Sequence, residues 1–186
     1  LLFLTKKSET YGRRKPSLGG GLFYLPKVIA LCRMIFTVGK VVVLGVGNVL
    51  LKDEGVGVKV VQKLQEEEIP SHVELVDGAT LGLNLLPVFE EAEKVIIVDC
   101  VKGGESPGTV YKFGLDEVKK KDKGVSLSLH DIDLTDVMNL VKTLGKNPPQ
   151  IVILGVEPKE IDWGMELSPE VEKAIPKVLE EVRKEF

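Results

Sequence analysis

The sequence is short of the residues that build disulfide frameworks and cysteine-ligated metal sites. Its only cysteines, Cys32 and Cys100, lie far apart and form no CxxC pair. A disulfide scaffold or a cysteine zinc site would lack ligands, and a reducing, cytoplasmic setting fits best. Also missing is an unbroken apolar run of the ~18 residues that a bilayer span requires. Pro26, Lys27 and Arg33 interrupt the stretch from Gly21 to Phe36, so membrane insertion is not expected and the basic prefix makes a poor signal peptide. There is no internal repeat. What remains, 186 residues at 44% hydrophobic and 28% charged, is enough for one globular domain with a sizeable core and too apolar for a disordered chain.

The formal charge of −3 conceals two unlike segments. Residues 1–33 carry seven Lys or Arg against Glu9, a charge of +6, which leaves −9 for residues 34–186. An acidic body argues against nucleic acid, whose phosphates call for clustered Lys and Arg. The expected organisation is a basic prefix, residues 1–33, outside the fold, and a domain proper over residues 34–186 that begins at Met34.

From Lys40 onward, buried-strand runs alternate with amphipathic stretches, the pattern of parallel βαβ units. Strands are expected at Val41 to Leu44, Val73 to Val76, Val95 to Val98, Thr109 to Phe113 and Ile151 to Val156. Helices are expected from Asp53-Glu54 to Glu68, Leu81 to Phe89, Asp133 to Leu144, and after Ser168-Pro169, with Ser168 as N-cap. Asp116 to Lys123 reads as solvated surface. The fold class is α/β: a single doubly wound domain with a mainly parallel five-stranded sheet and helices on both faces.

In such a sheet, ligands sit outside the carboxyl ends of the strands. This chain puts acids there repeatedly: Asp53 and Glu54 after the first strand, Asp77 ending the second, Asp99 ending the third, and His130 in the loop leading into the helix after the fourth. Singly, each has a plain explanation as a helix cap, turn former or loop residue. Together, carboxylates crowded on one edge repel one another unless they share a cation, and carboxylates with an imidazole suit a divalent transition metal. His72 has no partner acids in the pattern and reads as surface. Gly45-x-Gly47 after a strand is half a dinucleotide fingerprint, but Leu50 stands where the third glycine belongs and no Walker lysine follows. A cysteine protease reading of Cys100 lacks a paired base, because the one suitable histidine already serves the acid cluster.

The stretch Gly45-Val46-Gly47-Asn48-Val49-Leu50-Leu51-Lys52-Asp53-Glu54-Gly55-Val56-Gly57 resembles the opening motif of the nickel-iron hydrogenase maturation endopeptidases. Asp77-Gly78-Ala79-Thr80-Leu81-Gly82, Val98-Asp99 with Pro107-Gly108-Thr109, Ser128-Leu129-His130, Gly155-Val156-Glu157-Pro158 and Leu167-Ser168-Pro169 continue the resemblance, from about residue 38 to the C-terminus. It departs at Ala79, where glycine is usual. The resemblance implies an endopeptidase that removes the C-terminal extension of the hydrogenase large-subunit precursor. It implies metal contacts from Glu54, Asp99 and His130, and a further acid at Asp77. The nickel is expected to arrive with the precursor, as a recognition element, and for hydrolysis both a metal-polarised carbonyl and water activated by Asp99 or Asp77 stay open. The rival expectation is a non-catalytic metal- or ligand-binding α/β module that uses the same rim.

Overall fold

Short runs of Val, Ile and Leu, too apolar for an exposed sheet, form the strands of a core covered on both sides. The computed structural model describes residues 39–79, 85–115, 117, 126–127 and 134–186, and Val38–Phe186 form one compact unit. The expected boundary near Met34 falls outside the described residues.

The strands are β1 (Val41–Val46), β2 (Val73–Ala79), β3 (Lys94–Lys102), β4 (Val110–Gly114), β5 (Ser126–Leu127) and β6 (Gln150–Val156). They order as β2-β1-β3-β6-β4, and the short β5 pairs off this path with β3. The pairs β1–β2, β1–β3 and β3–β6 are parallel. Only β4, the expected fourth strand, runs antiparallel to β6 as an edge, and β5 lies antiparallel against Val101 and Lys102. The five-stranded, mainly parallel sheet is therefore present, with a two-residue addition.

Among the described residues, four helices cover it: α1 (Val56–Leu64), α2 (Leu86–Glu91), α3 (Leu134–Thr143) and α4 (Pro169–Arg183). Alternation along β1 and β3 divides the core. Val41, Val43, Ile96 and Val98 pack with α1 and α4 through Val60, Leu64, Ile175 and Val178. Val42, Leu44, Val95 and Ile97 pack with α2 and α3 through Phe89, Met138 and Val141. Helices on both faces are what a doubly wound sheet requires. Each buried Val, Leu or Ile contributes on the order of 1.5–3 kcal/mol.

Two local expectations change. Asp53 and Glu54 do not open the first α-helix; they lie in a 3-10 turn, Lys52–Gly55, that precedes α1. Ser168 occupies the N-cap position of α4 with extended backbone, but its side chain makes no capping bond to the helix. Its hydroxyl donates instead to Asp53, a stronger, charged acceptor.

Candidate functional site

The glycines after β1 let backbone pass close to backbone. Gly47 has φ +125°, and a Cβ there would stand 1.8 Å from the carbonyl oxygen of Glu54. A Cβ on Gly57 would stand 2.1 Å from the Val98 carbonyl and 2.4 Å from that of Val46. Any larger residue would push the Glu54 turn and the start of α1 off the ends of β1 and β3. Asn48 shapes the same turn, its Oδ1 accepting the Leu50 amide at 3.0 Å. The incomplete glycine fingerprint thus serves to seat an acidic turn against the carboxyl edge of the sheet.

The two acids of that turn have opposite surroundings. Asp53 is 0% exposed. Its Oδ2 accepts the amides of Lys159 and Glu160 at 2.9 and 3.1 Å and the Ser168 hydroxyl at 2.8 Å, while Oδ1 accepts the Ser168 amide at 2.7 Å. A carboxylate so surrounded by donors is a structural anchor. Glu54 is half-buried, and its Oε2 is buried without a hydrogen-bond partner among the described residues.

Asp99 extends from β3, the strand beside β1, one residue past Val98, which pairs with Gly45. It is fully buried, and its Oδ1 accepts the Cys100 amide at 2.8 Å. The adjacent Cys100 thiol is pushed up to about 12, first by burial and then by the charges of Asp99, Glu54 and Asp53. A thiol held protonated in a negative field is a poor nucleophile, which agrees with the absence of a paired base in the sequence.

Asp77 reaches the same edge on β2, opposite Gly45, but is exposed, and its Oδ1 accepts the Ala79 amide at 3.1 Å as a turn former. It belongs to the row of Val73 and Leu75 on the α1 side, whereas Asp99 belongs to the row of Val95, Ile97 and Val101 on the α2 and α3 side. Ala79, where the resemblance leads one to expect glycine, has φ +35°, a conformation that suits glycine better, and its carbonyl accepts the Gly47 amide at 3.1 Å. His130 lies outside the described residues. Among the described residues no three His, Cys, Asp or Glu side chains gather as a metal centre. His72 is half-buried at the opposite, amino edge, beside Lys94 and Glu93.

One acid was not singled out by the sequence pattern. Glu157, just past β6, is 7% exposed. Its Oε2 accepts the amides of Gly103 and Gly104 at 2.7 and 3.1 Å and the Tyr111 hydroxyl at 2.5 Å. Burial, then the bond to Glu157 and its charge, raise Tyr111 to about 12. The signal available was the Gly103-Gly104 pair, whose amides need an acceptor: a Cβ at Gly103 would stand 2.6 Å from the Tyr111 hydroxyl, and Gly104 has φ +85°.

Residues 58–185 match the family model described as hydrogenase maturation protease. The chain is 38% identical over 150 residues to the hydrogenase expression/formation protein HupD of Rhodobacter capsulatus, covering 77% of this chain and 71% of that protein. It is 34% identical over 145 residues to the hydrogenase 2 maturation protease of Escherichia coli, covering 77% and 88%. Among solved structures, the hydrogenase maturating endopeptidase HybD from E. coli superposes with a TM-score of 0.68 at 34% identity, covering 77% of this chain and 89% of that one. A nickel-iron hydrogenase maturation protease HybD from Thermococcus kodakarensis gives 0.66 at 30% identity, covering 78% and 97%.

Proposed function

Since the chain belongs to the hydrogenase maturation protease family and is an endopeptidase, we propose that it trims the C-terminal extension of a nickel-iron hydrogenase large-subunit precursor already loaded with nickel. Membership in that family removes the rival of a non-catalytic module. Glu54, Asp99 and His130 are the side chains that meet the metal of the substrate.

The observation that carries this reading is the buried, unpartnered Oε2 of Glu54, on a turn packed against the strand that bears buried Asp99. A buried carboxylate oxygen without a donor is costly and calls for a cation. The adjacent Asp53 is satisfied by N–H and O–H groups and needs none. Carboxylates and an imidazole suit a borderline metal such as nickel. Because the metal comes with the precursor, binding energy is realised only with loaded substrate, and unloaded precursor stays uncut.

For cleavage, a carboxylate takes a proton from water as the water oxygen attacks the scissile carbonyl. The tetrahedral intermediate collapses with loss of the C–N bond, and the proton passes to the leaving amine. Asp99, buried at the carboxyl end of β3 and a metal contact in this reading, is the carboxylate we assign to this role, which makes the enzyme aspartyl in type. Asp77, turn-bound and on the other side of the sheet, is the second candidate base. The work belongs in the cytoplasm, in keeping with cysteines that form no disulfide framework. Among the described residues no helix is long and apolar enough to cross a membrane. Residues 1–33 lie outside the catalytic unit in this reading, since the motif series starts only near residue 38.

The test is C-terminal trimming of purified large-subunit precursor, read by mass, with and without nickel and with this enzyme as the only protease. Trimming of the loaded form alone is expected. His130→Ala should chiefly weaken capture of the precursor, and Asp77→Asn should separate the two candidate bases. Equal trimming of both forms removes the metal checkpoint, and trimming of neither removes the function.

A further inference from the structure

The segment joining β6 to α4 is fastened from beneath and apolar on top. Asp53 accepts hydrogen bonds from Lys159, Glu160 and Ser168 along it. Its middle pairs with the Glu54 turn as a short parallel bridge, Leu51 with Gly164: the Lys52 amide donates to the Gly164 carbonyl at 2.8 Å, and the Gly164 amide donates to that of Leu50 at 3.0 Å. Of the six large apolar side chains exposed among the described residues, four stand on these two joined loops: Trp163 at 77%, Met165 at 60%, Leu50 and Ile161. Trp and Met are favoured at the centres of protein interfaces, and apolar side chains concentrated on one surface mark a contact site.

Charge narrows the occupant. The same loop carries Glu160, Asp162 and Glu166 on a domain of net −9. Glu160 pairs with Lys52, but among the described residues Asp162 and Glu166 have no ion pair. A second copy would bring these acids against their equivalents, whereas a partner with Lys or Arg beside apolar side chains would complement them. The ridge is also continuous with the site. Leu50 is four residues from Glu54, and a cleft of about 440 Å³ runs from Lys102 and Gly104, at the end of the strand that bears Asp99, to Ile161.

We propose that the ridge of Leu50, Ile161, Trp163 and Met165 docks the hydrogenase large-subunit precursor through a segment of it that carries apolar and basic side chains. This rests on the proposed function, because it assumes that the precursor is the substrate. The ridge holds the folded precursor while the carboxyl edge meets its metal and tail, and it acts on capture rather than on the bond-breaking step.

Trp163 is the only tryptophan of the chain, so enzyme grown with 5-fluorotryptophan carries one fluorine at the ridge. Nickel-loaded precursor made without the label should shift or broaden that resonance. Trp163→Ser combined with Met165→Ser should raise KM for the precursor by about tenfold or more, an effect of hot-spot size, with a much smaller change in kcat. An unchanged KM with a silent fluorine, while the wild type still trims precursor, overturns the docking surface and leaves the proposed function standing. A fluorine shift without trimming by the wild type sustains the surface and sinks the cleavage reading. A resonance that moves with enzyme concentration alone assigns the ridge to a second copy and overturns the proposal.

Discussion

The two edges of the sheet handle charge in opposite ways. At the amino edge, acids meet lysines near water: Lys40 lies 2.7 Å from Glu74 and 3.0 Å from Glu91, and Lys94 lies 2.9 Å from Glu185. Lys40 is raised by its bonds to Glu74 and Glu91, and Glu185 is lowered by Lys112 and then Lys94. The carboxyl edge has surface pairs too, Lys52 with Glu160 and Lys159 with Glu170, but its buried acids Asp53 and Glu157 are held by amides and hydroxyls. Among the described residues, neither they nor Glu54 has a cation partner. Exposed ion pairs are worth ~0–1 kcal/mol and can be exchanged freely. Amide-bound carboxylates fix loops without neutralising their own charge. The carboxyl edge therefore keeps a negative field over a rigid frame, and an oxygen of Glu54 is left without a hydrogen-bond partner among the described residues.

The largest test of this contrast is Asp99→Asn. In the proposed mechanism this removes a ligand charge and a base together, so trimming of loaded precursor should fall by about 10³-fold or more, read by mass over time, with the melting transition retained. A variant that still trims at near wild-type rate would move the chemistry to Asp77. Next comes Asp53→Ala, which strands buried donors and should cost about 3–5 kcal/mol in urea unfolding. A loss below about 1 kcal/mol would make Asp53 no more than an exposed pair.

Alkaline pH separates the edges by another route. Tyr111 is raised from 10.0 to about 12 and Cys100 from 9.0 to about 12. Folding thus favours their protonated forms, and the stability linked to them is complete below the ordinary values and lost as pH rises towards about 12. Urea midpoints should fall through that window, and Tyr111→Phe should flatten the Tyr111 part of the slope. An unchanged slope would detach Tyr111 from Glu157. A smaller effect is expected from Ala79→Gly, which relieves a positive φ and should leave stability equal or better by up to about 1 kcal/mol. The smallest is Lys40→Met at the amino edge, about 0.5 kcal/mol or less, read by thermal melting at low and high salt.

Strands and their order along the chain were legible because β-branched runs and alternation are local signals, and the acids at their carboxyl ends could be located from those runs alone. The direction of β4 was not legible, since Val110–Gly114 carries the same local pattern in either orientation. Nor could the strand pattern separate Asp53 from Glu54, which are adjacent acids in one turn; only the family resemblance selected Glu54. What distinguishes them is a set of donors on residues 159–168, more than 100 positions away. The Ser168 hydroxyl looked like a helix cap for the same reason: its true acceptor is distant in sequence and near only in space. Ala79 could be recognised as unusual by comparison with the motif, but its left-handed backbone is a matter of geometry.

The span of the Asp53 contacts also sets when the protease comes into being. A chain still emerging from the ribosome can lay down β1, β2 and β3 early and seat the Glu54 turn against them, yet Asp53 lacks its donors until Lys159, Glu160 and Ser168 have been made. Contacts this far apart close late in folding, and they fasten the turn and the ridge of Trp163 together. A chain that stops short of residue 159 would hold Asp53 without its donors, so the fastened carboxyl edge arrives only once residues 159–168 are in place.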